Sequence, residues 1–133
     1  ASIVHGAMGL PETAVNFDVG NACLGFLNGM NVVAGMIERG EIDHGVVVNA
    51  ETSRFTMEST VARLAQDDCT EEMFREQFAT LTLGSGAVAM VLSRDEDATG
   101  HRFTGGLSRA MTKHAALCTG DIHEMRTDTK GLL

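Results

Sequence analysis

The sequence predicts an α/β fold in which strands and helices alternate along the chain. Val15, Phe17 and Val19 alternate with polar residues, which is typical of a half-buried strand. An apolar helix follows from about Ala22 to Arg39, and a continuous apolar run from Gly45 to Ala50 predicts a second strand. Because that run has no polar face, it favours a parallel sheet covered on both sides. Strand, helix and strand in this order predict one right-handed βαβ unit.

Further elements are predicted on both sides of this unit. Thr70 is a good N-cap for a following helix, because Glu71 and Glu72 then lie in its positive first turn. In chain order we expect a helix tail over residues 1–10, a strand at Glu12–Val19, helices at Thr56–Leu64 and Thr70–Gln77, a glycine-broken turn and buried strand within Leu81–Leu92, an acidic turn at Arg94–Gly100 and a last strand at Arg102–Ala110. Residues 111–133 have no clear periodicity.

The helix from about Ala22 to Arg39 is apolar on all sides, which predicts a position in the interior. Gly25 and Gly29 weaken a helix, so we expect another backbone to pack closely against them. Asn28 and Asn31 then require buried hydrogen-bond partners. Gly40 provides a stop signal after an exposed last turn.

Composition limits the classes of function. The chain has 133 residues, 44% of them hydrophobic, which is enough for one domain with a core. A net charge of −8 argues against nucleic-acid binding. Three irregularly spaced cysteines argue against a disulfide framework and favour the cytoplasm. There is no signal-peptide pattern and no apolar run of roughly 18 residues, the length of a membrane span. The chain begins within a pattern and without methionine, so we expect it to be part of a longer chain.

Cys23 is the candidate catalytic residue. It follows the breaker pair Gly20-Asn21, and Asn21 could accept from free N–H groups of the helix that starts there. Free N–H groups and aligned peptide dipoles at a helix start favour a thiolate, which is the nucleophilic form of cysteine. The same N–H groups could hold the oxyanion formed when sulfur attacks a thioester. The residues leave a second interpretation open, in which Cys23 is a small buried core residue. In parallel sheets, chemistry collects where strands end, which adds Asn49–Ser53 to the candidate region.

Three other sequence patterns resemble functional sites. The spacing of His114, Cys118, Asp121 and His123 matches no common zinc pattern, so no metal site is predicted. Gly84 and Gly86 lack the Lys-Ser/Thr of a phosphate loop, and close backbone packing is the preferred interpretation. Met57, Met73, Phe74 and Phe78 could line an apolar channel, although core packing is the more ordinary use of such residues.

Several motifs resemble the thiolase superfamily, and within it 3-oxoacyl-(acyl-carrier-protein) synthase III and its acyl-CoA-using relatives in long-chain olefin biosynthesis. The motifs are Asp18-x-x-x-Ala22-Cys23-x-Gly25-Phe26, Glu38-Arg39-Gly40-Glu41-Ile42-Asp43, the Val46–Asn49 strand, Leu81-Thr82-Leu83-Gly84-Ser85-Gly86-Ala87, and a tail with Leu117-Cys118-x-Gly120 and Met125-x-Thr127-Asp128-Thr129. The resemblance implies part of a layered αβαβα fold. Residues 1–110 would belong to its N-terminal half, mostly the second part of that half, and residues 111–133 would connect to a C-terminal half.

The resemblance also implies an activity. Cys23 would accept an acyl group and supply one oxyanion N–H, and two fatty acyl-CoA thioesters would be joined by a Claisen condensation to a β-keto acid, without a cofactor. One alternative is decarboxylative condensation with malonyl-carrier protein, and another is a non-catalytic structural half. Family members pair as dimers through the strand before the cysteine, here about Ala14–Val19.

The family's catalytic histidine and asparagine would lie beyond Leu133, and the acidic base of the olefin-type enzymes before Ala1. None of the histidines at positions 5, 44, 101, 114 and 123 fits the family motif, so no turnover is expected from these residues alone.

Overall fold

The computed structural model describes residues 1–94, 99–117, 119–121 and 126–128, and it combines helices and strands as an α/β chain should. In chain order the elements are α1 (Ser2–Ala7), a 3₁₀ helix (Ala22–Leu24), α2 (Gly25–Glu38), β1 (His44–Glu51), α3 (Arg54–Leu64), α4 (Glu71–Gln77), a 3₁₀ helix (Thr80–Thr82), β2 (Gly86–Ser93), a 3₁₀ helix (Thr112–Leu117), β3 (Thr119–Asp121) and β4 (Arg126–Asp128). The described residues cluster into two units. One contains residues 1–49 and 89–106, and the other contains residues 50–88 and 107–133.

In the first unit, α2 ends as its sequence predicts. Gly40 has a φ of +74°, its N–H donates to the Ile37 carbonyl at 3.0 Å, and the Glu41 N–H donates to the Met36 carbonyl at 3.0 Å. This pair of bonds is a Schellman motif, in which a left-handed residue satisfies the last carbonyls of the helix. The predicted stop is therefore confirmed, and it works because only glycine adopts that φ without a steric cost.

β1 and β2 form a two-stranded sheet. The Arg94 N–H, just after β2, donates to the carbonyl of Asp43, just before β1, and His44 Nδ1 lies 2.9 Å from Ser93 Oγ. The end of β2 therefore lies beside the start of β1, so the two strands run antiparallel. The predicted parallel βαβ unit is not formed, because residues 12–19 are not a strand. A strand requires a hydrogen-bonded neighbour, and none is assigned to these residues in the described chain.

The packing of α2 against β1 explains two glycines of the first unit. A Cβ at Gly29 would lie 2.9 Å from Val47 Cγ1, and a Cβ at Gly45 would lie 2.3 Å from Val33 Cγ1. Each valine therefore fills the space beside a glycine of the other element. Val33 and Val47 are the buried large hydrophobic residues of the described chain, at 9% and 8% exposure. A close neighbour is present at Gly29, but the prediction that it is a backbone is wrong there, because the Val47 side chain fills the space.

The rest of α2 is more exposed than its composition predicts. Only Gly29 and Val33 are buried among its residues, while Leu27 and Val32 are exposed. The prediction of an interior helix is therefore wrong for the described residues, because the single layer of β1 and β2 covers one side of a helix at most. The predicted burial of Asn31 is also wrong, since Asn31 is exposed.

Arg94 binds the carboxyl-terminal end of α2. Its Nη2 donates to the Ile37 carbonyl, and its Nε lies 3.3 Å from Asp43 Oδ1. Nearby, Arg39 Nε donates to Glu41 Oε1 at 2.6 Å. This hydrogen bond raises the pKa of the Arg39 guanidinium and lowers the pKa of the Glu41 carboxyl. Both side chains are exposed, so the pair adds little to stability.

In the second unit, α3 packs against α4 and the 3₁₀ helix at 80–82, with Thr60, Gln77 and Thr80 buried. Thr70 Oγ1 accepts from the Met73 N–H at 3.2 Å, which confirms the predicted N-cap of α4. Strands β3 and β4 pair antiparallel, with Gly120 opposite Thr127.

Two predictions for later segments have different outcomes. The predicted strand at Arg102–Ala110 is wrong, because these residues form no regular element and Gly105 adopts a φ of +104°, far from the strand region. The acidic turn at Arg94–Gly100 lies in part outside the described residues, which omit 95–98. The boundary placed between residues 110 and 111 stays a prediction.

Candidate active site

The turn that leads into α2 is a 3₁₀ helix at Ala22–Leu24. The Leu24 N–H donates to the Asn21 carbonyl at 2.9 Å, and the Gly25 N–H donates to the Ala22 carbonyl. The Asn21 side chain makes no capping hydrogen bond, so its predicted role as a cap is wrong. Its backbone carbonyl takes the Leu24 N–H instead, because the chain tightens by one turn of 3₁₀ helix before the α-helix begins.

Ala22 has an unusual backbone conformation. Its φ is +40°, and it is the only non-glycine residue with positive φ in the described part of the chain. Such a conformation brings the Cβ of an L-residue too close to its own carbonyl oxygen and costs about 1–2 kcal/mol. The sequence gives no local signal for it, since alanine is an ordinary helix former.

Cys23 lies in the middle of this turn as an exposed, free thiol. Among the described residues, no backbone or side-chain acceptor takes its N–H, while the next two N–H groups are both bonded. Cys23 therefore lies in a tight turn at the start of a helix, as predicted, but the strand predicted to lead into that turn is absent from the described residues. The alternative of a buried core cysteine is wrong for the described residues, because the thiol is exposed.

Gly25 allows the preceding segment to fold back against the start of α2. A Cβ at this position would lie 3.2 Å from the Val19 carbonyl oxygen, which is tighter than most real Cβ contacts. Because that neighbour is backbone, it could not move aside as the end of a flexible side chain would. The motif glycine two residues after Cys23 is thus explained by close approach of the chain to itself.

Asn49–Ser53 was predicted to share a strand-end region with Cys23. That reasoning required a strand before Cys23, and residues 12–19 do not form one. In the second unit, the Ser53 N–H donates to Ser85 Oγ at 3.0 Å, and the two hydroxyls lie 3.3 Å apart. The sequence does not predict the contact between Ser53 and Ser85, because residues so far apart along the chain share no local pattern.

The predicted close backbone packing at Gly84 and Gly86 is wrong, since a Cβ at either position would meet open space.

The other sequence patterns give no additional site within the described residues. Those residues contain no group of three or more metal-binding side chains. Of the residues His114, Cys118, Asp121 and His123, whose spacing was compared with that of zinc sites, His114 has an exposed side chain. Cys118 and His123 lie outside the described residues. Phe74 and Phe78 are exposed and in edge contact, with ring centroids 6.0 Å apart. No helix in the described residues is long and apolar enough to cross a membrane.

Comparison with known proteins gives consistent matches. A family model described as 3-oxoacyl-[acyl-carrier-protein (ACP)] synthase III matches residues 17–108. An acyl-CoA:acyl-CoA alkyltransferase of Xanthomonas campestris pv. campestris is 48% identical over 100% of this chain and 40% of its own length. A protein of the same name from Shewanella oneidensis is 33% identical over 98% of this chain and 41% of its own length. The chain therefore spans about 40% of the length of these relatives.

A solved structure matches closely as well. The crystal structure of a cysteine-to-serine variant of Xanthomonas campestris OleA, with bound lauric acid and lauroyl-CoA, superposes with a TM-score of 0.87. The two chains are 45% identical, and the match covers 97% of this chain and 38% of that one. The thiolase-like α/β class predicted from the sequence is confirmed by this match.

Proposed function

This chain belongs to the 3-oxoacyl-(acyl-carrier-protein) synthase III family, and on that premise we propose that Cys23 accepts an acyl group from a fatty acyl-CoA. The single observation that supports this role is the exposed thiol of Cys23 in a tight turn at the start of α2. Its N–H, which takes no acceptor among the described residues, and the positive end of the helix are the groups that stabilise a thiolate and a developing oxyanion.

The proposed acylation step is a nucleophilic substitution at the thioester carbonyl. The thiolate of Cys23 attacks, the carbonyl oxygen becomes an oxyanion beside the Cys23 N–H, and the carbon–sulfur bond to CoA breaks as the carbonyl reforms. The CoA thiolate leaves and takes up a proton. The result is an acyl-cysteine, which holds the first acyl group in place for a second substrate.

The proposed second step is a head-to-head Claisen condensation. A base removes a proton from the α-carbon of a second acyl-CoA, and the resulting carbanion attacks the acyl-cysteine carbonyl. The new carbon–carbon bond forms as the thiolate of Cys23 leaves, and water then hydrolyses the remaining CoA thioester to a β-keto acid. We assign the role of this base to no residue of this chain, so we propose the second step for the intact protein only. The names of the Xanthomonas and Shewanella relatives favour acyl-CoA as both substrates.

Intact-mass analysis tests the first step. The intact protein is incubated with lauroyl-CoA, and we expect a mass increase of one lauroyl group that is absent in Cys23→Ala. Cys69→Ser is the matched control, because Cys69 is a second free cysteine that has no proposed role. If the intact protein gains no mass, or if Cys23→Ala is acylated as well as the wild type, the proposal is wrong. That result would favour the non-catalytic alternative.

The family model also favours a second candidate, in which the acyl-cysteine condenses with malonyl-carrier protein. In that reaction the carbon–carbon bond forms as the malonyl group loses carbon dioxide. Release of carbon dioxide from malonyl-carrier protein, dependent on Cys23, would establish this candidate. Release of two CoA molecules for each β-keto acid from acyl-CoA alone would establish the first.

We further propose that two copies of the protein pair through the segment Ala14–Val19. Val15 and Phe17 support this, because they are 72% and 48% exposed and alternate with polar residues as a strand edge does. An apolar segment of this kind is a natural site for pairing with another strand. The irregular spacing of the three cysteines supports the cytoplasm as the proposed compartment.

A further inference from the structure

The backbone of Ala22 carries an inference that rests on the proposed role of Cys23. Ala22 has a φ of +40° and directly precedes the thiol residue. A glycine would adopt this φ without strain, yet the position holds an alanine. Strained residues persist only where neighbouring contacts hold them in place, and they are concentrated at functional sites.

Contacts on both sides hold Ala22 in this conformation. The Leu24 N–H bonds to the Asn21 carbonyl across Ala22, and the Gly25 N–H bonds to the Ala22 carbonyl itself. On the far side of the turn, the Val19 carbonyl oxygen lies so near Gly25 that a Cβ there would be 3.2 Å away, a tight contact with backbone. Rotation about the N–Cα bond of Ala22 would turn everything after it, including Cys23, relative to residues 19–21.

We propose that Ala22 is a positioning residue for Cys23. Its methyl group limits the turn to one narrow conformation, so that the thiol and the unbonded N–H of Cys23 keep a fixed direction toward the incoming thioester. A glycine at position 22 would relieve the strain but would allow several conformations of the turn. The alanine therefore lowers the folding stability but fixes the orientation of the Cys23 thiol.

Ala22→Gly in the intact protein separates this role from a purely structural one. Relief of strain should leave the thermal midpoint equal to or above that of the wild type. The rate of Cys23 acylation by lauroyl-CoA, measured by rapid quenching and intact mass, should fall by about tenfold or more, because small misplacements of a reacting group have effects of this size. Ala34→Gly in α2 is the matched control, and it should lower the midpoint while the folded protein retains the wild-type acylation rate.

Each outcome decides the proposal. A wild-type acylation rate in Ala22→Gly overturns the positioning role and leaves the proposed function intact. A clear fall in the thermal midpoint of Ala22→Gly also overturns it, because the conformation would then not be strained. Absence of acylation in the wild type overturns both the proposed function and this inference. A slower rate with an unchanged or higher midpoint supports it, provided that Ala34→Gly shows the opposite pattern.

Discussion

In Gly45→Ala, a methyl group is added to β1 at the point where Val33 of α2 packs against the strand. The new Cβ would lie 2.3 Å from Val33 Cγ1 and 3.4 Å from Ile42 Cδ1. A real Cβ contact is never so short, so the helix and the strand must separate or Val33 must leave its preferred rotamer. The variant therefore disturbs one of the two places where a buried valine packs between these two elements, the other being Val47 beside Gly29.

The expected cost follows from two opposing effects. Extra carbon in a packed core costs about 1–3 kcal/mol. Replacement of glycine by alanine in a strand offsets about 0.5–1 kcal/mol of this cost, because alanine leaves the unfolded chain less conformational freedom than glycine does. We therefore expect Gly45→Ala to lower the free energy of unfolding by about 1–2 kcal/mol. Val33→Ala removes two buried carbons at about 0.8 kcal/mol each and leaves a small cavity, so its cost should be about 2 kcal/mol.

The double variant tests the mechanism. The alanine methyl at position 45 would occupy the space that the Val33 methyl groups leave, so the double variant should cost about 2 kcal/mol instead of the sum of the two single changes. Urea unfolding of the intact protein gives the four free energies of this cycle. Gly86→Ala is the matched control, because it is a strand glycine whose Cβ would meet open space. Costs that add within about 0.5 kcal/mol, or a Gly45→Ala variant as stable as Gly86→Ala, would refute the reasoning.

Three further predictions concern single contacts. Thr70→Ala should lower the free energy of unfolding by about 1 kcal/mol in urea titrations, because the Met73 N–H loses its acceptor, and Thr70→Ser should recover most of the loss. Arg39→Gln should raise the pKa of the Glu41 carboxyl toward its ordinary value in an NMR titration. The Arg39 hydrogen bond lowers that pKa, so its contribution to stability exists above the unfolded-state pKa and is lost as the pH falls through the folded-state value; an unchanged Glu41 titration would contradict this. Phe17→Asp should shift the mass measured by light scattering from dimer to monomer, while Glu12→Asp should not; a dimer in both variants would exclude pairing through this segment.

The features predicted well from sequence are those set by neighbouring residues. Gly40 ends α2 and Thr70 begins α4 through hydrogen bonds that reach at most five residues along the chain. The sequence predicts Cys23 in the first turn of a helix, because Gly20-Asn21 interrupts one pattern and an apolar run begins another, and Cys23 lies in the 3₁₀ turn that leads directly into α2. Local signals of this kind do not depend on which other segments are present.

The features predicted poorly depend on distant partners. Residues 15–19 alternate as a strand does, and residues 102–110 are also predicted as a strand, but neither segment has in the described residues a neighbouring strand to which a ladder could bond. The interior position of α2 failed for a related reason, since its apolar faces require covering layers that the described residues do not supply. The positive φ of Ala22 could not be predicted at all, because it arises from how the turn packs and not from the preference of alanine.

The contact between Arg94 and α2 has a consequence for the order of folding. The Ile37 carbonyl receives the Gly40 N–H from three residues away, whereas Arg94 is 57 residues away along the chain. Closure of so long a loop is entropically unfavourable and must wait until β2 has been made and has paired with β1. On a ribosome, α2 could therefore complete its own end as soon as Glu41 emerges and could pack against β1 through Val33 and Val47 soon afterwards. Its contact with Arg94 would form only after about fifty further residues have been synthesised.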